Sequence, residues 1–281
     1  MIFNLAPNVA AASARDAARL FFPTRRLLSK RRVRKLAATE SHEQRDALLR
    51  MWSRDLLEAL DLRIEAGGLE HVGKGPFIVM SLHESLVDVP VLIDQLRLPL
   101  TFVARAELER ELPIKGFLEA SGQILIRPEA PDSRRIMLRG AAQMAAQGRS
   151  VAIFPQGSVL GIETAFRSGL LSLAQQLDLP VLPVALWGAA AAWQYPFSPS
   201  VRRGVDVRME VLEPRRLGSA EELRVVEREM KQLALADSRV VPRRYVPERD
   251  GFWDGFKFEV DSDFAEVAAA VAAHRESAAI S

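Results

Sequence analysis

A chain of 281 residues that is 48% hydrophobic and 26% charged has the composition of a globular protein with one large core. The absence of cysteine excludes disulfide bonds and thiolate chemistry and is consistent with a reducing compartment. The net charge of +2 conceals a basic amino terminus, because residues 1–35 carry nine lysines and arginines but a single acid, Asp16. A basic arm on an otherwise acidic chain indicates nucleic acid or an anionic membrane as its partner.

The amino-terminal segment favours the membrane. Apolar side chains alternate with arginine between Leu5 and Val33, but no apolar run approaches the roughly 20 residues that cross a bilayer. The charge follows the apolar stretch, which is the reverse of a signal peptide. We predict that residues 1–60 form a basic, amphipathic, helical segment on the cytoplasmic face of a membrane, in a peripheral or monotopic protein. The alternative is a solvated arm with a structural role. Nucleic acid is not expected, because no recognition module accompanies the arm.

The elements after this arm predict an α/β domain over residues 61–242. A helix capped by Ser41 precedes it, with Trp52 and several leucines spaced by three and four. Strand patterns then alternate with helical ones. Strands are predicted at 77–81, 101–104, 123–126, 150–154, 181–186 and 205–212, and helices at 133–147, 168–177 and 220–235. This alternation predicts a mixed, mostly parallel sheet flanked by helices. Residues 243–281, which are aromatic and acidic and end in a short helix, are predicted to be an appendage.

The stretch SLHESLVDVP places His83 and Asp88 directly after the first of these strands. If a helix begins after the histidine, the aspartate lies one turn along and accepts a hydrogen bond from one imidazole nitrogen, which leaves the other nitrogen to take a proton. Glu84 is expected to face solvent beside this pair. Val87 replaces the second histidine of a zinc-protease motif, and the chain has neither a serine-hydrolase elbow nor a phosphate-binding loop. A packed or capping histidine is the alternative.

Three further blocks extend this motif along the chain. They are RAELERELPIKGFLEASGQILIRPE from residue 105, FPQGS at 154–158 followed by FRSG at 166–169, and VLPVALWG at 181–188. In order, spacing and residue type, the four blocks resemble the glycerolipid acyltransferase superfamily, which includes 1-acylglycerol-3-phosphate and other lysophospholipid acyltransferases. The resemblance covers roughly residues 75–190.

The resemblance implies transfer of a fatty acyl group to a hydroxyl of a lysophospholipid or related lipid. The donor would be an acyl thioester, either acyl-CoA or acyl carrier protein, and no metal or other cofactor is expected. His83 would act as the general base and Asp88 would orient it. The turn of Gln156, Gly157 and Ser158 would contact the acceptor and supply backbone amides to the oxyanion, since glycine lets the chain approach closely.

Two arginines are implied as anion contacts. The family assigns the arginine that ends the second block, here Arg127, to the phosphate of the acceptor. Arg167 is a second contact or, alternatively, a solvated charge. The chain departs from the family pattern at Gln156, where a glutamate is usual, and at Ile126, where an aspartate is usual. These departures favour an acceptor other than simple lysophosphatidate. They also leave open a non-catalytic member of the fold that binds lipid or acyl carrier protein.

Overall fold

The structure, a computed structural model, describes residues 30–106, 118, 120–128, 130–193, 202–240 and 258–280. The helices are α1 (Lys30–Ala37), α2 (His42–Ala59), α3 (Asp88–Leu96), α4 (Ser133–Ala146), α5 (Gly169–Leu177), α6 (Ala220–Leu235) and α7 (Ala265–Ile280). The strands are β1 (Arg63–Gly67), β2 (Ile78–Ser81), β3 (Leu100–Arg105), β4 (Ile124–Ile126), β5 (Ser150–Ile153), β6 (Val181–Trp187) and β7 (Asp206–Val211). Single 3₁₀ turns lie at Leu69–His71 and Ala189–Ala191.

The strands of the described ranges form one sheet in the order β1-β7-β6-β2-β5-β3-β4. The pairs that join β6, β2, β5, β3 and β4 are all parallel, whereas β7 runs antiparallel to β6 and parallel to β1. The predicted mixed, mostly parallel α/β sheet is therefore confirmed. Because five neighbouring strands point the same way, the loops that follow them emerge at one edge of the sheet, where α/β proteins place their ligands.

Both faces of this sheet are buried, and successive residues of β2 show how the core is divided. The side chain of Val79 packs with Leu92 of α3 in a cluster on one face, while Ile78 and Met80 pack with Leu170 of α5 on the other face. All four residues of β2 are buried. A strand that is covered on both faces has a continuous run of apolar residues rather than an alternating pattern. The run PFIVMS, residues 76–81, therefore predicted a buried strand.

Helix α2 is part of this core. Ser41 caps it through a hydrogen bond from the N–H of Gln44 at 3.4 Å, as the sequence predicts. Leu49 and Trp52 are 5% and 4% exposed and lie in the same apolar cluster as α3. The structure therefore joins residues 42–59 to the α/β body, although the sequence assigned them to the amino-terminal segment. Strand β1, at the edge of the sheet, was not predicted, because RIEAG alternates polar and apolar residues over only five positions and has just two apolar side chains, Ile64 and Ala66.

A buried ion pair ties α2 to the sheet. The guanidinium of Arg149 donates to both carboxylate oxygens of Asp46, at 2.7 and 2.8 Å, and also to the carbonyl of Leu100 at 2.7 Å. Its Nε donates to Thr101 Oγ1 at 3.0 Å. The side chains of Arg149 and Asp46 are only 6% and 10% exposed. A bidentate pair of this kind fixes the direction as well as the position of the helix.

The predicted membrane-associating segment is described only from α1 onward, since residues 1–29 lie outside the described ranges. Leu36 is fully buried, and Arg32 donates to Asp55 of α2 at 2.7 Å, so α1 is attached to the body. The side chains of Arg31, Arg34 and Lys35, on the same helix, are exposed. None of the helices in the parts of the chain that are described is long and apolar enough to cross a bilayer.

Candidate active site

His83 and Asp88 meet at the carboxyl end of β2. The imidazole Nδ1 lies 2.8 Å from Oδ2 of Asp88, and the two side chains are 12% and 0% exposed. The same oxygen accepts the backbone N–H groups of Glu84 and Ser85, each at 2.9 Å, where α3 begins. An ionised carboxylate only accepts hydrogen bonds, so a neutral imidazole in this position would carry its proton on Nδ1 and leave the Nε2 lone pair available. The contact therefore fixes the orientation of the imidazole ring.

Gln156 and Phe154, from the turn after β5, fix the histidine from the other side. The rings of His83 and Phe154 are stacked with centroids 3.8 Å apart. The backbone N–H of His83 donates to Oε1 of Gln156 at 2.7 Å, and Nε2 of this amide donates to the carbonyl of Gly161 at 2.6 Å. With 1% of its surface exposed, Gln156 uses both ends of its amide on the backbone. The same side chain also lines the cavity beside His83, and its expected contact with an acceptor stays a prediction.

The turn itself is built around Gly157, whose φ of +67° favours glycine. A Cβ at this position would lie 3.1 Å from Nε of Arg167, so glycine also admits that guanidinium. The N–H of Gly157 donates to the carbonyl of Phe154 at 3.0 Å. This hydrogen bond is internal to the turn, and it corrects the expectation that the Gly157 amide is directed at an oxyanion. Ser158 is buried, and its Oγ accepts the N–H of Leu160 at 3.4 Å.

Arginines from three elements reach this edge of the sheet. Arg105, the last residue of β3, donates from Nε to the carbonyl of Gly157 at 3.1 Å. Arg127 is exposed and follows β4, one residue beyond Ile126, which is the register partner of Arg105. The structure therefore places Arg105 and Arg167 on the turn and Arg127 on the neighbouring strand end. Arg105 was not among the predicted site residues, although a charged residue that ends an apolar strand at this edge was a usable signal.

Glu84 does not face solvent as expected. Its Oε1 accepts the N–H of Gly188 at 2.6 Å. Burial, together with the negative charge of Asp88, raises the pKa of Glu84 to about 8, and the hydrogen bond from Gly188 opposes the shift. The carboxyl group lines a cavity of about 240 Å³ beside His83. The rest of the lining is mainly apolar and includes Leu82, Leu160, Ile162, Leu186 and Trp187.

These features define a class of protein: an α/β domain with a histidine–aspartate pair and several guanidinium groups at the carboxyl edge of a mostly parallel sheet. Residues 63–187 match the sequence model of the family described as Acyltransferase. The chain is 34% identical over 145 residues to a lyso-ornithine lipid O-acyltransferase from Pseudomonas aeruginosa. It resembles the crystal structure of a 1-acyl-sn-glycerophosphate (LPA) acyltransferase from Thermotoga maritima, with a TM-score of 0.61 at 22% identity over 76% of this chain and 92% of that one.

The resemblance that the four sequence blocks indicated is therefore confirmed for residues 63–187, the part of the chain that matches the acyltransferase family model. The family match covers the strands from β1 to β6 and so includes the His83–Asp88 pair and the FPQGS turn. The alignment with the Pseudomonas protein covers 50% of this chain and 54% of that protein, so the chain spans about half the length of this curated relative. The similarity to the Thermotoga structure is one of fold.

Proposed function

We propose that this protein is an O-acyltransferase that moves a fatty acyl group from an acyl thioester to a hydroxyl of a lysophospholipid or related lysolipid. The observation that carries the proposal is the His83–Asp88 pair, with Nδ1 held at 2.8 Å from the carboxylate, inside a domain of the acyltransferase family. A protein that only binds lipid has no need of an imidazole whose tautomer is fixed by a buried acid. The names of the two relatives make lyso-ornithine lipid and lysophosphatidate the first acceptors to test.

The proposed reaction needs one base and no covalent enzyme intermediate. Nε2 of His83 removes the proton of the acceptor hydroxyl while the oxygen attacks the thioester carbonyl. Asp88 stabilises the imidazolium that results. When the tetrahedral intermediate collapses, the carbon–sulfur bond breaks and the departing thiolate takes the proton back from the imidazolium. The net change is one ester bond formed and one thioester bond broken.

The charge that develops on the carbonyl oxygen requires donors, and the arginines of the turn are proposed to supply them. Arg105 and Arg167 approach Gly157 from two sides, so both guanidinium groups lie next to the turn that holds the histidine. Positioned cations at a developing oxyanion contribute strongly because their orientation is set before the reaction begins. We assign the exposed Arg127, on the neighbouring strand end, to an anionic group of the acceptor.

The proposed membrane contact is α1 together with the preceding residues. Arg31, Arg34 and Lys35 are exposed on α1, while Leu36 anchors the helix to the body. Basic side chains close to an anionic leaflet are each attracted to it, and a lipid acceptor has to be collected from that surface. The donor is proposed to be acyl-CoA or acyl carrier protein, with no further cofactor.

A transfer assay tests this proposal. Purified protein is incubated with radiolabelled acyl-CoA or acyl-acyl carrier protein and a panel that contains lyso-ornithine lipid, lysophosphatidate and neutral lysolipids, with His83→Ala as the control. We expect label in the diacylated product of at least one acceptor and none above background in the control. Donor binding without transfer to any acceptor would instead support the non-catalytic binding protein.

A further inference from the structure

Four charged side chains, three of them buried, form a cluster that contacts the backbone at Thr164 and Phe166; we call it the ionic cluster. It consists of Arg224, Glu227 and Lys231 of α6 and Asp261 of the carboxyl-terminal segment. Lys231 donates to Glu227 at 2.7 Å and to Asp261 at 2.6 Å. Arg224 donates to the same two carboxylates at 2.8 and 2.9 Å.

The carboxylates of the cluster are among the most buried groups in the described chain, with Glu227 0% and Asp261 1% exposed. Burial opposes ionisation of Asp261, but the hydrogen bonds from Arg224 and Lys231 outweigh it and hold the pKa of this carboxyl below its usual range. Apolar residues of similar volume generally stabilise a fold at least as well as a buried ionic cluster does, because charges must be desolvated. Stability alone therefore does not account for these four residues.

The cluster holds the backbone of residues 163–167, the segment that ends in Arg167. The carbonyl of Thr164 accepts from Nζ of Lys231 at 3.0 Å, and the N–H of Phe166 donates to Glu227 at 2.9 Å. The carboxyl-terminal segment, residues 258–264, adds two backbone hydrogen bonds. The Asp261 N–H donates to the Glu163 carbonyl at 2.7 Å, and the Ala165 N–H donates to the Glu259 carbonyl at 2.8 Å.

The same carboxyl-terminal region covers the other end of the turn. Val159 and Leu160, the two residues after Ser158, pack in a small apolar cluster with Phe258 and with Val271 of α7. The segment from the FPQGS turn to Arg167 is thus held at both ends by residues 258–280. Arg167 is also bound to the turn directly, because its backbone N–H donates to the Pro155 carbonyl at 2.9 Å.

We infer that the ionic cluster and the carboxyl-terminal segment position Arg167 against the FPQGS turn, so that residues 258–264 are a functional part of the site that stabilises the oxyanion. The inference rests on the proposed acyl transfer, in which Arg167 donates to the developing oxyanion. Asp261, Glu227 and Lys231 are positioning residues, since they act through the backbone of residues 163–167. A guanidinium that is already in place when substrate binds costs no ordering at the moment of reaction.

The test is a double-mutant cycle with acyl-transfer kinetics. Asp261→Asn removes the charge that Lys231 and Arg224 share, and we expect kcat/KM to fall about 10-fold, which is the scale of coupling within one hydrogen-bond network. In an Arg167→Ala background the same substitution should cause little further loss. The matched control is Arg228→Gln, which removes an exposed ion pair of 3.1 Å between the same helix and Asp263 and should leave kcat/KM unchanged. An equal loss in both backgrounds would overturn the inference.

A readout independent of activity separates this inference from the proposed function. Hydrogen exchange at the amides of Ala165, Phe166 and Arg167 should be faster in Asp261→Asn than in wild type or Arg228→Gln. If Asp261→Asn does not fold, Arg224→Gln replaces the partly exposed member of the cluster and should show the same exchange pattern. Unchanged protection in the folded variant would refute positioning. Absence of transfer in wild type, with the exchange difference present, would refute only the proposed acyl transfer.

Discussion

The side-chain amide of Gln156 joins two backbone groups, because its Oε1 accepts the His83 N–H at 2.7 Å while its Nε2 donates to the Gly161 carbonyl at 2.6 Å. A glutamine is suited to this position since an amide both accepts and donates. The residue that departs from the family pattern therefore supports the loop that carries the histidine.

Replacement of this amide by a carboxyl should destabilise the protein in a pH-dependent manner. In Gln156→Glu, a protonated carboxyl can still donate a hydrogen bond to the Gly161 carbonyl. An ionised carboxylate has no proton to donate, so this hydrogen bond is lost. Burial raises the pKa of the introduced carboxyl in the folded state, so the cost grows as pH rises above about 4.3, the usual value for glutamate. We expect a loss of about 1–3 kcal/mol in the free energy of unfolding at pH 8 and a smaller loss at pH 5.

Urea unfolding at both pH values measures this loss. Gln175→Glu is the matched control, since Gln175 donates to the Gly218 carbonyl at 3.1 Å at an exposed site and should tolerate the change at either pH. Equal stability of Gln156→Glu and wild type at pH 8 would contradict the structural role of the amide.

Removal of the proposed base should abolish most of the activity while the fold persists. We expect His83→Ala to lower the acyl-transfer rate by about 10² to 10⁴, the usual contribution of a positioned general base. Donor binding should change little, because the histidine acts on the acceptor hydroxyl. Steady-state kinetics with His71→Ala, a histidine of the 3₁₀ turn after β1, as control checks this. Near-normal turnover in His83→Ala would exclude the assignment.

Glu84 should make the stability of the protein fall as pH rises through the neutral range. Its folded-state pKa of about 8 exceeds the usual unfolded value of about 4.3. Between these values the folded state keeps a proton that the unfolded state has released, so stability decreases from about pH 4.3 to pH 8 and then levels off. Glu84→Gln keeps an oxygen for the Gly188 N–H and should flatten this part of the profile.

Thermal unfolding at pH 5, 7 and 9 distinguishes the variant from wild type. The exposed Glu58 of α2 provides the control, because Glu58→Gln should leave the slope as it is in wild type. Identical slopes for wild type and Glu84→Gln would show that Glu84 does not hold a proton across the neutral range in the folded protein.

The pair of Asp46 and Arg149 should account for much of the attachment of α2. Asp46→Ala leaves a buried guanidinium without its counter-ion, and we expect a loss of about 3–5 kcal/mol in the free energy of unfolding. The pair of Arg54 and Asp94, at 3.1 Å, also joins α2 to a neighbour but has an arginine that is 57% exposed. Arg54→Ala should cost under about 1 kcal/mol. Chemical denaturation of both variants measures the difference, and similar losses would contradict the prediction.

Neutralisation of α1 should weaken binding to anionic vesicles. Each of Arg31, Arg34 and Lys35 close to an anionic surface contributes about 1 kcal/mol, and salt screens this attraction. We therefore expect the triple glutamine variant to sediment less with vesicles that contain anionic lipid, and the difference to shrink at high salt. The control removes three exposed arginines of α4, at positions 134, 135 and 139, by the same substitution. Equal losses in both variants would indicate a general charge effect rather than a contact through α1.

Local patterns were sufficient for most of the elements and for the contact between His83 and Asp88. Helix α6 was predicted at 220–235, the bounds the structure gives it, because its apolar side chains repeat with the helical period. His83 and Asp88 are five residues apart at the end of an apolar strand, so their contact depends on a single turn of chain. The edge strand β1 was missed, since its alternation of polar and apolar residues extends over only five positions and includes two apolar side chains.

The sequence by itself determined the α/β class, the resemblance to acyltransferases and the histidine–aspartate pair, because each of these depends on residues close together in the chain. Only the tertiary structure decided the contacts of Gln156, Glu84 and Arg105. The amide of Gln156 meets His83 across 73 residues, and Arg105 meets Gly157 across 52. The hydrogen bond between Lys231 and Asp261, which are 30 residues apart, could likewise not be predicted from the sequence. Hydrogen bonding and desolvation depend on which groups the sheet brings together, and neighbours that are distant in the chain leave no periodic trace in a single sequence.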